Sequence, residues 1–234
     1  MKTISILTPA RRRPNNMLRM IDSIKDSISG NYNIEVIFRV DDTDELLLNE
    51  EFKLTLYQKI NTRVYINMVV GPETFPDLGC LWNECFDNCH GDIVQMGGDD
   101  LVYVTKGWDE ILVNKSNFED EIYLSWGPDG TFNTRLATHG FVSRKWVEAV
   151  GWITPPLGLT YANDDFIHSV AHKIGRLNYL CDMEIKHLWD GGNPNDPNYG
   201  RMGELLDRSH EIRHSREGVA QQSWAVDQLV KVMK

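Results

Sequence analysis

Two pairs of adjacent aspartates stand just behind apolar runs. Asp41 and Asp42 follow residues 34–40 (IEVIFRV), and Asp99 and Asp100 follow residues 93–96 (IVQM) and two glycines. Carboxylate oxygens bind hard divalent cations such as Mg2+ or Mn2+, and such a cation can bridge protein carboxylates to phosphate oxygens. The same ion stabilises charge that builds on a departing diphosphate. Gly97 and Gly98 let the backbone come close to a bulky ligand. Aspartate is also an ordinary turn and cap residue, but two pairs that each close an apolar run favour a site. The run Arg11, Arg12, Arg13 adds guanidinium forks that fit a diphosphate or an anionic acceptor.

Elements must hold these groups in place. Residues 4–8 form a short apolar run ended by Pro9, which reads as a buried first strand. Met17, Leu18, Ile21, Ile24 and Ile28 recur at helical spacing, which predicts a helix over 15–28. A strand over 34–40 completes a βαβ unit, which favours parallel pairing. A helix is expected over 45–60, a strand over 62–70, a helix over 78–89 and a strand over 93–96. This alternation predicts an α/β fold: an open, mixed but mostly parallel twisted sheet with helices on both faces. Ligands of such sheets bind at the carboxyl edge, where both aspartate pairs fall. Beyond residue 100 the reading is strands at 121–126 and 137–142, helices at 143–150 and 164–174, and a strand at 177–185 that ends near His187. Asp164 or Asp165 would cap the 164–174 helix. Residues 190–200 read as a turn-rich loop suited to a mobile lid, and 202–234 as helical.

Bulk composition narrows the function classes. The chain has 234 residues, with 24 Lys and Arg against 34 Asp and Glu, a formal charge of −10. That balance repels polyanions at long range and disfavours a general nucleic-acid binder. No window reaches membrane-spanning length, and the N-terminal apolar stretch is too short for a secretion signal. No integral membrane association is expected, and the expected location is a cytoplasm, bacterial or that of a host if the chain is viral. The four cysteines suit that compartment as reduced thiols. Cys80, Cys85, Cys89 and His90 match no standard zinc spacing and read as small packing residues.

Taken in order, these segments resemble the family 2 type of GT-A glycosyltransferases. The resemblance spans about residues 4–187. Ile4 to Ala10 with Arg13-Pro14 resembles the opening strand and nucleotide loop, and VIFRVDDTD at 36–44 the second strand with its base-binding aspartate. Residues 79–83 resemble a small-residue helix entry that ends in asparagine. Residues 91–101 resemble the strand and metal-binding DxD motif, with Gly97 where the first aspartate belongs. The resemblance implies a metal-dependent, inverting transfer of a sugar from a nucleotide diphosphate sugar, a UDP-sugar favoured, to an acceptor hydroxyl. It implies Mn2+ or Mg2+ on Asp99 first, then Asp100, with His187 completing the site. The donor would meet Thr8, Pro9, Ala10, Arg11, Arg13, Asp41, Asp42, Gly79, Asn83, Gly98 and Asp99. Asp164 stands where inverting members keep a general base, with Asp165 next to it and Asn163 in place of the family's glutamate. His139-Gly140-Phe141 and Trp126-Gly127-Pro128 are expected beside the sugar; the faces of Trp126, Trp152 and Trp189 suit a sugar ring, but each reads better as core. Residues 1–105 become the nucleotide-binding half, 106–200 the acceptor-side half, and 201–234 a helical tail packed on or near them.

Two other readings compete. A sugar nucleotidyltransferase would show a glycine-rich loop after the first strand, and Pro9-Ala10-Arg11-Arg12-Arg13 has no glycine. A catalytically degenerate sugar-nucleotide-binding module is favoured by Gly97 and Asn163. The acceptor (a sugar, a protein or a modified DNA base) and the oligomeric state stay open.

Overall fold

The computed structural model describes residues 1–188 and 202–233. Its first half runs β1 (Thr3–Ala10), α1 (Pro14–Ser27), β2 (Asn33–Asp41), α2 (Glu50–Tyr57), β3 (Val64–Gly71), α3 (Gly79–Asp87) and β4 (Ile93–Met96). β1 pairs in parallel with β2 and with β4, and β2 with β3. Side chains alternate between two cores. Ile4, Ile6, Val36 and Phe38 pack with α1 residues Met17, Met20, Ile21 and Ile24. Leu7, Ile37 and Val94 pack with Cys85 and Cys89 on and beside α3. A strand covered on both faces has no polar side to show, which is why β1 and β2 read as continuous apolar runs. The register sets Val40 opposite Ala10 and Met96 opposite Leu7, so the carboxyl ends of these strands share one edge.

The second half contains β5 (Leu101–Tyr103), α4 (Trp108–Lys115), β6 (Leu124–Trp126), β7 (Phe141–Ser143), α5 (Arg144–Val150), α6 (Asn163–Lys173), β8 (Leu177–Tyr179), β9 (Ile185–His187), α7 (Met202–His214) and α8 (Arg216–Val232). β7 pairs antiparallel with β4 and β6, and β6 pairs in parallel with β8. β7 alone therefore runs against the other strands of the large sheet. The seven-stranded order is β3-β2-β1-β4-β7-β6-β8, and β5 and β9 form a separate antiparallel pair. α8 packs on α5 and α6 through buried Ala225 and Leu229.

Several expected boundaries move, each for a local reason. The 45–60 helix begins at Glu50, because Asp44 holds a turn by accepting from Leu47 N and Asn49 caps the helix by accepting from Phe52 N. The 177–185 strand divides at a turn over 181–182, and its halves join different sheets. The tail is two helices, separated at Ser215, whose hydroxyl accepts from Gly218 N. The N-cap of α6 is Ala162 at φ 61°, so Asp164 and Asp165 lie in the first turn instead of capping it. There their charges still favour the positive helix end. Residues 190–200 and Trp189 lie outside the described residues.

Candidate active site

β4 delivers the Gly97-Gly98-Asp99-Asp100 turn to the sheet edge. Gly97 N donates to Leu7 O at 2.8 Å. A Cβ on Gly97 would stand 3.0 Å from Ile6 Cγ2, 3.1 Å from Leu7 O and 3.1 Å from Thr8 Oγ1. A first aspartate of a DxD motif would therefore need β1 to give way by a few tenths of an ångström. A Cβ on Gly98 would stand 2.9 Å from Asp100 Oδ1 and 3.4 Å from His139 Cε1, so this glycine makes room for that pair.

Asp100 is the centre of a cluster. His187 Nε2 lies 3.5 Å from Asp100 Oδ1, and the His139 and His187 rings meet edge to face at 4.5 Å. Asp100, His139 and His187 each offer a ligand atom within 4.8 Å of the others. The β5–β9 pair sets Leu101 opposite His187, which brings that histidine beside Asp100. His139 arrives with β7: Gln95 Nε2 donates to His139 O at 3.0 Å, and Met96 N to Gly140 O at 3.1 Å. Sequence reasoning had put His139 under the sugar. Only the antiparallel β4–β7 register makes it a ligand candidate.

The cluster fits a divalent cation. His139 Nδ1 lies 3.2 Å from Met96 O, and a carbonyl only accepts, so Nδ1 carries the hydrogen and Nε2 a free lone pair. That Nε2 is buried and has no hydrogen-bond partner among the described residues. Burial and the neighbouring His187 push His139 down to about 4, so its imidazole is neutral at pH 7. Burial works against ionising Asp100, but His187, His139 and Arg13 outweigh it and hold its carboxyl well below the usual range. An ionised carboxylate and a neutral imidazole are the forms that ligate.

The three arginines go separate ways. Arg13 grips Asp99 with Nη2 to Oδ1 at 2.7 Å and Nε to Oδ2 at 3.1 Å, and its Nη1 stands 3.6 Å from Asp100 Oδ2. Arg11 pairs with Glu73, stands 3.6 Å from Asp41 Oδ2 and lies over the Phe75 ring at 5.3 Å. Arg12 has φ 55°, donates its backbone N–H to Asp44 Oδ2 at 2.6 Å and exposes its side chain. Asp41 is buried and Asp42 exposed. Burial raises Asp41, with Glu73 adding and Arg11 and Arg39 opposing. Arg39 is buried, pairs with Glu84, and donates to Val40 O at 2.7 Å and Pro72 O at 2.6 Å, which fixes this corner.

The remaining expected donor residues divide. Thr8, Pro9 and Ala10 end β1 between β2 and β4, with Thr8 Oγ1 buried and without a partner among the described residues. Asn83 Nδ2 donates to Thr154 O, and its Oδ1 accepts from Ile153 N and Thr154 N, so it clasps that loop. Gly79 N donates to Leu159 O, and a Cβ there would stand 3.2 Å from Asn163 Oδ1. In this structure Gly79 and Asn83 serve the framework. Trp126 and Trp152 are core residues, buried against Tyr179 and Phe166, respectively.

Asp164 keeps partial solvent access, while burial and then the Asp165 charge raise it to about 7, with His187 opposing. Asp165 turns to the tail, where Arg213 Nη1 stands 3.9 Å from its Oδ1. Asp129, which sequence reading passes over, braces the backbone of His187 and the segment that leads to His139. Asp129 Oδ1 accepts from the amides of Thr131, Phe132 and Asn133, its Oδ2 accepts from Thr138 Oγ1 at 2.8 Å, and its carbonyl accepts from His187 N at 3.0 Å.

No known family profile matches the sequence, and no curated protein matches it. Solved structures do. A mannosyltransferase, PcManGT from Pyrobaculum calidifontis in complex with GDP-Man and Mn2+, superposes with TM-score 0.64 at 13% identity, over 99% of this chain and 73% of that one. Glucosyl-3-phosphoglycerate synthase from Mycobacterium tuberculosis, in complex with Mn2+, UDP-glucose and phosphoglyceric acid, gives 0.62 at 15%, over 95% and 80%. S. aureus TarS 1-349 with UDP-GlcNAc gives 0.60 at 12%, over 100% and 82%. The chain has the GT-A fold. In this GT-A chain no helix of the described residues is long and apolar enough to cross a membrane.

Proposed function

We propose that this protein is a divalent-metal-dependent, inverting glycosyltransferase that moves one sugar from a nucleoside diphosphate sugar, with a UDP-sugar favoured, to an acceptor hydroxyl. The observation that carries the reading is the Asp100–His139–His187 cluster at the carboxyl edge of the parallel strands. Structures of the same fold hold GDP-Man or UDP-sugars, two of them with Mn2+. Residues 1–105 hold the donor, 106–200 face the acceptor, and 201–234 back the acceptor side.

Asp41 and Arg11 bind the nucleoside end, with the Thr8–Ala10 segment beneath it. Arg13 lies between Asp99 and Asp100, where its guanidinium can meet phosphate oxygens. A cation held by Asp100, His139 and His187 would neutralise charge on the leaving diphosphate. Asp164 takes the proton of the acceptor hydroxyl as that oxygen attacks the anomeric carbon. A carboxylate near pH 7 is strong enough to accept it and still mostly ionised in slightly alkaline solution. The acceptor is a hydroxyl of a sugar, a protein or a modified base. The acidic balance favours one without a polyphosphate backbone.

The test is release of free nucleoside diphosphate from a panel of nucleotide sugars with Mn2+, for wild type and Asp100→Ala. Slow hydrolysis of one donor, lost in the variant, supports the reading. No hydrolysis, together with no thermal stabilisation by UDP, GDP or dTDP, overturns it. A non-catalytic sugar-nucleotide-binding module is the second reading, favoured by Gly97 and by Asp99 being paired to Arg13. It predicts stabilisation by a donor without any turnover.

A further inference from the structure

The two neighbouring aspartates of the β4 turn share Arg13 unequally, with Nη2 2.7 Å from Asp99 Oδ1 and Nη1 3.6 Å from Asp100 Oδ2. The Asp99 side chain is fully buried, and both its oxygens face Arg13, at 2.7 and 3.1 Å. Asp100 leaves only Oδ2 toward Arg13 and aims Oδ1 at His187, 3.5 Å away. On the side where the DxD pattern places another carboxylate, β1 closes against Gly97. The opening over Asp100 is filled from the antiparallel strand, by His139, whose Nε2 is buried without a partner among the described residues.

We infer that the cation seat of this protein is a two-histidine, one-carboxylate seat made by His139, His187 and Asp100, that Arg13 keeps Asp99 out of it, and that it selects transition metals over Mg2+. Imidazole nitrogen suits Co2+ and the later first-row ions best and Mn2+ less, whereas Mg2+ prefers an all-oxygen shell and keeps its waters. Replacing an oxygen ligand by nitrogen therefore moves the preference toward transition metals. Asp99 acts as the anchor of Arg13 and not as a ligand. The inference deepens the proposed transferase reading by naming its cation. It is tested without donor or acceptor, so a metal result stands whether or not transfer is found.

The experiment titrates chelator-treated full-length protein with Mn2+, Co2+ and Mg2+, by calorimetry for affinity and by the visible spectrum of bound Co2+ for ligation. Co2+ and Mn2+ are expected to bind at least about 30-fold more tightly than Mg2+. His139→Ala and His187→Ala are each expected to lose about tenfold or more in Co2+ affinity and to change its spectrum. Asp99→Asn, which keeps an oxygen for Arg13, is expected to shift affinity by less than about threefold. Two histidine variants are used so that one poor folder does not decide the result, and circular dichroism confirms the fold of each. Mg2+ binding as tightly as Co2+ overturns the inference. So does metal loss in Asp99→Asn with retention in either folded histidine variant, because that places the ion on the acidic pair. So does folded wild-type protein that binds none of the three ions.

Discussion

The two acidic pairs at the site share a residue type and stand under opposite electrostatics. Asp100 is met by Arg13, His139 and His187, and although buried it stays ionised far below neutrality. Asp164 is met by the Asp165 carboxylate, and the arginine at this pair, Arg213, stands 3.9 Å from Asp165 instead. Burial acts in the same direction on both. The neighbours decide the outcome: the His187 hydrogen bond and Arg13 hold Asp100 in the ligand form, and a second carboxylate leaves Asp164 a proton acceptor near neutrality.

This contrast can be broken at either end. The largest expected effect is from Asp100→Ala, which removes the one carboxylate of the cluster. Donor turnover should fall about a thousandfold or more, read as nucleoside diphosphate release. Asp164→Asn comes next, with kcat down about a hundredfold and donor KM nearly unchanged. In the wild type kcat should rise with pH through about 7 and then level, since only the ionised carboxylate accepts the proton. That limb should vanish in the variant, and its persistence would move the base elsewhere. Arg13→Gln should raise donor KM about tenfold, because it removes one fork near the diphosphate. Asp165→Asn should change kcat less than about threefold, since it faces the tail.

The smallest effect sharpens the comparison through stability. Folded Asp164 holds its proton up to about 7, above the ordinary 3.8, so its contribution is intact below the unfolded value and is lost as pH rises through the folded one. Asp164→Asn carries no charge at any pH. It should melt about 2–4 °C above wild type at pH 8, with the gap closing near pH 4, as followed by thermal denaturation.

The first half of the fold was legible because its signals are local. Apolar runs with a period of two or of 3.6, bounded by Gly30 and Gly71, name strands and helices directly, although β1 continues through Pro9 to Ala10 on its pairing with β2. Asp41 and Asp100 were legible as strand-end residues for the same reason. The second half depends on register between distant segments. His139 becomes a ligand candidate only because Gln95 pairs with Phe141, and no local pattern carries that pairing. β5 was missed because three residues behind a turn are too few to show a period. Asn83 looks like a donor-site amide in the sequence, and Asn163 stands where the resemblance expects a glutamate. Asn83 holds the 153–154 backbone, and Asn163 Nδ2 donates to Leu159 O from a buried position.

Asp129 ties the 131–133 turn, Thr138 and the His187 backbone into one knot. Asp129 thus holds His187 by its backbone carbonyl and the residue before His139 by its carboxylate. An ion gripped by both histidines would close the loop from the far side, as a rivet closes a hinge already pinned at one end. Occupancy of the seat and local order of residues 129–139 then become one equilibrium, and amide exchange there would report the free ion concentration.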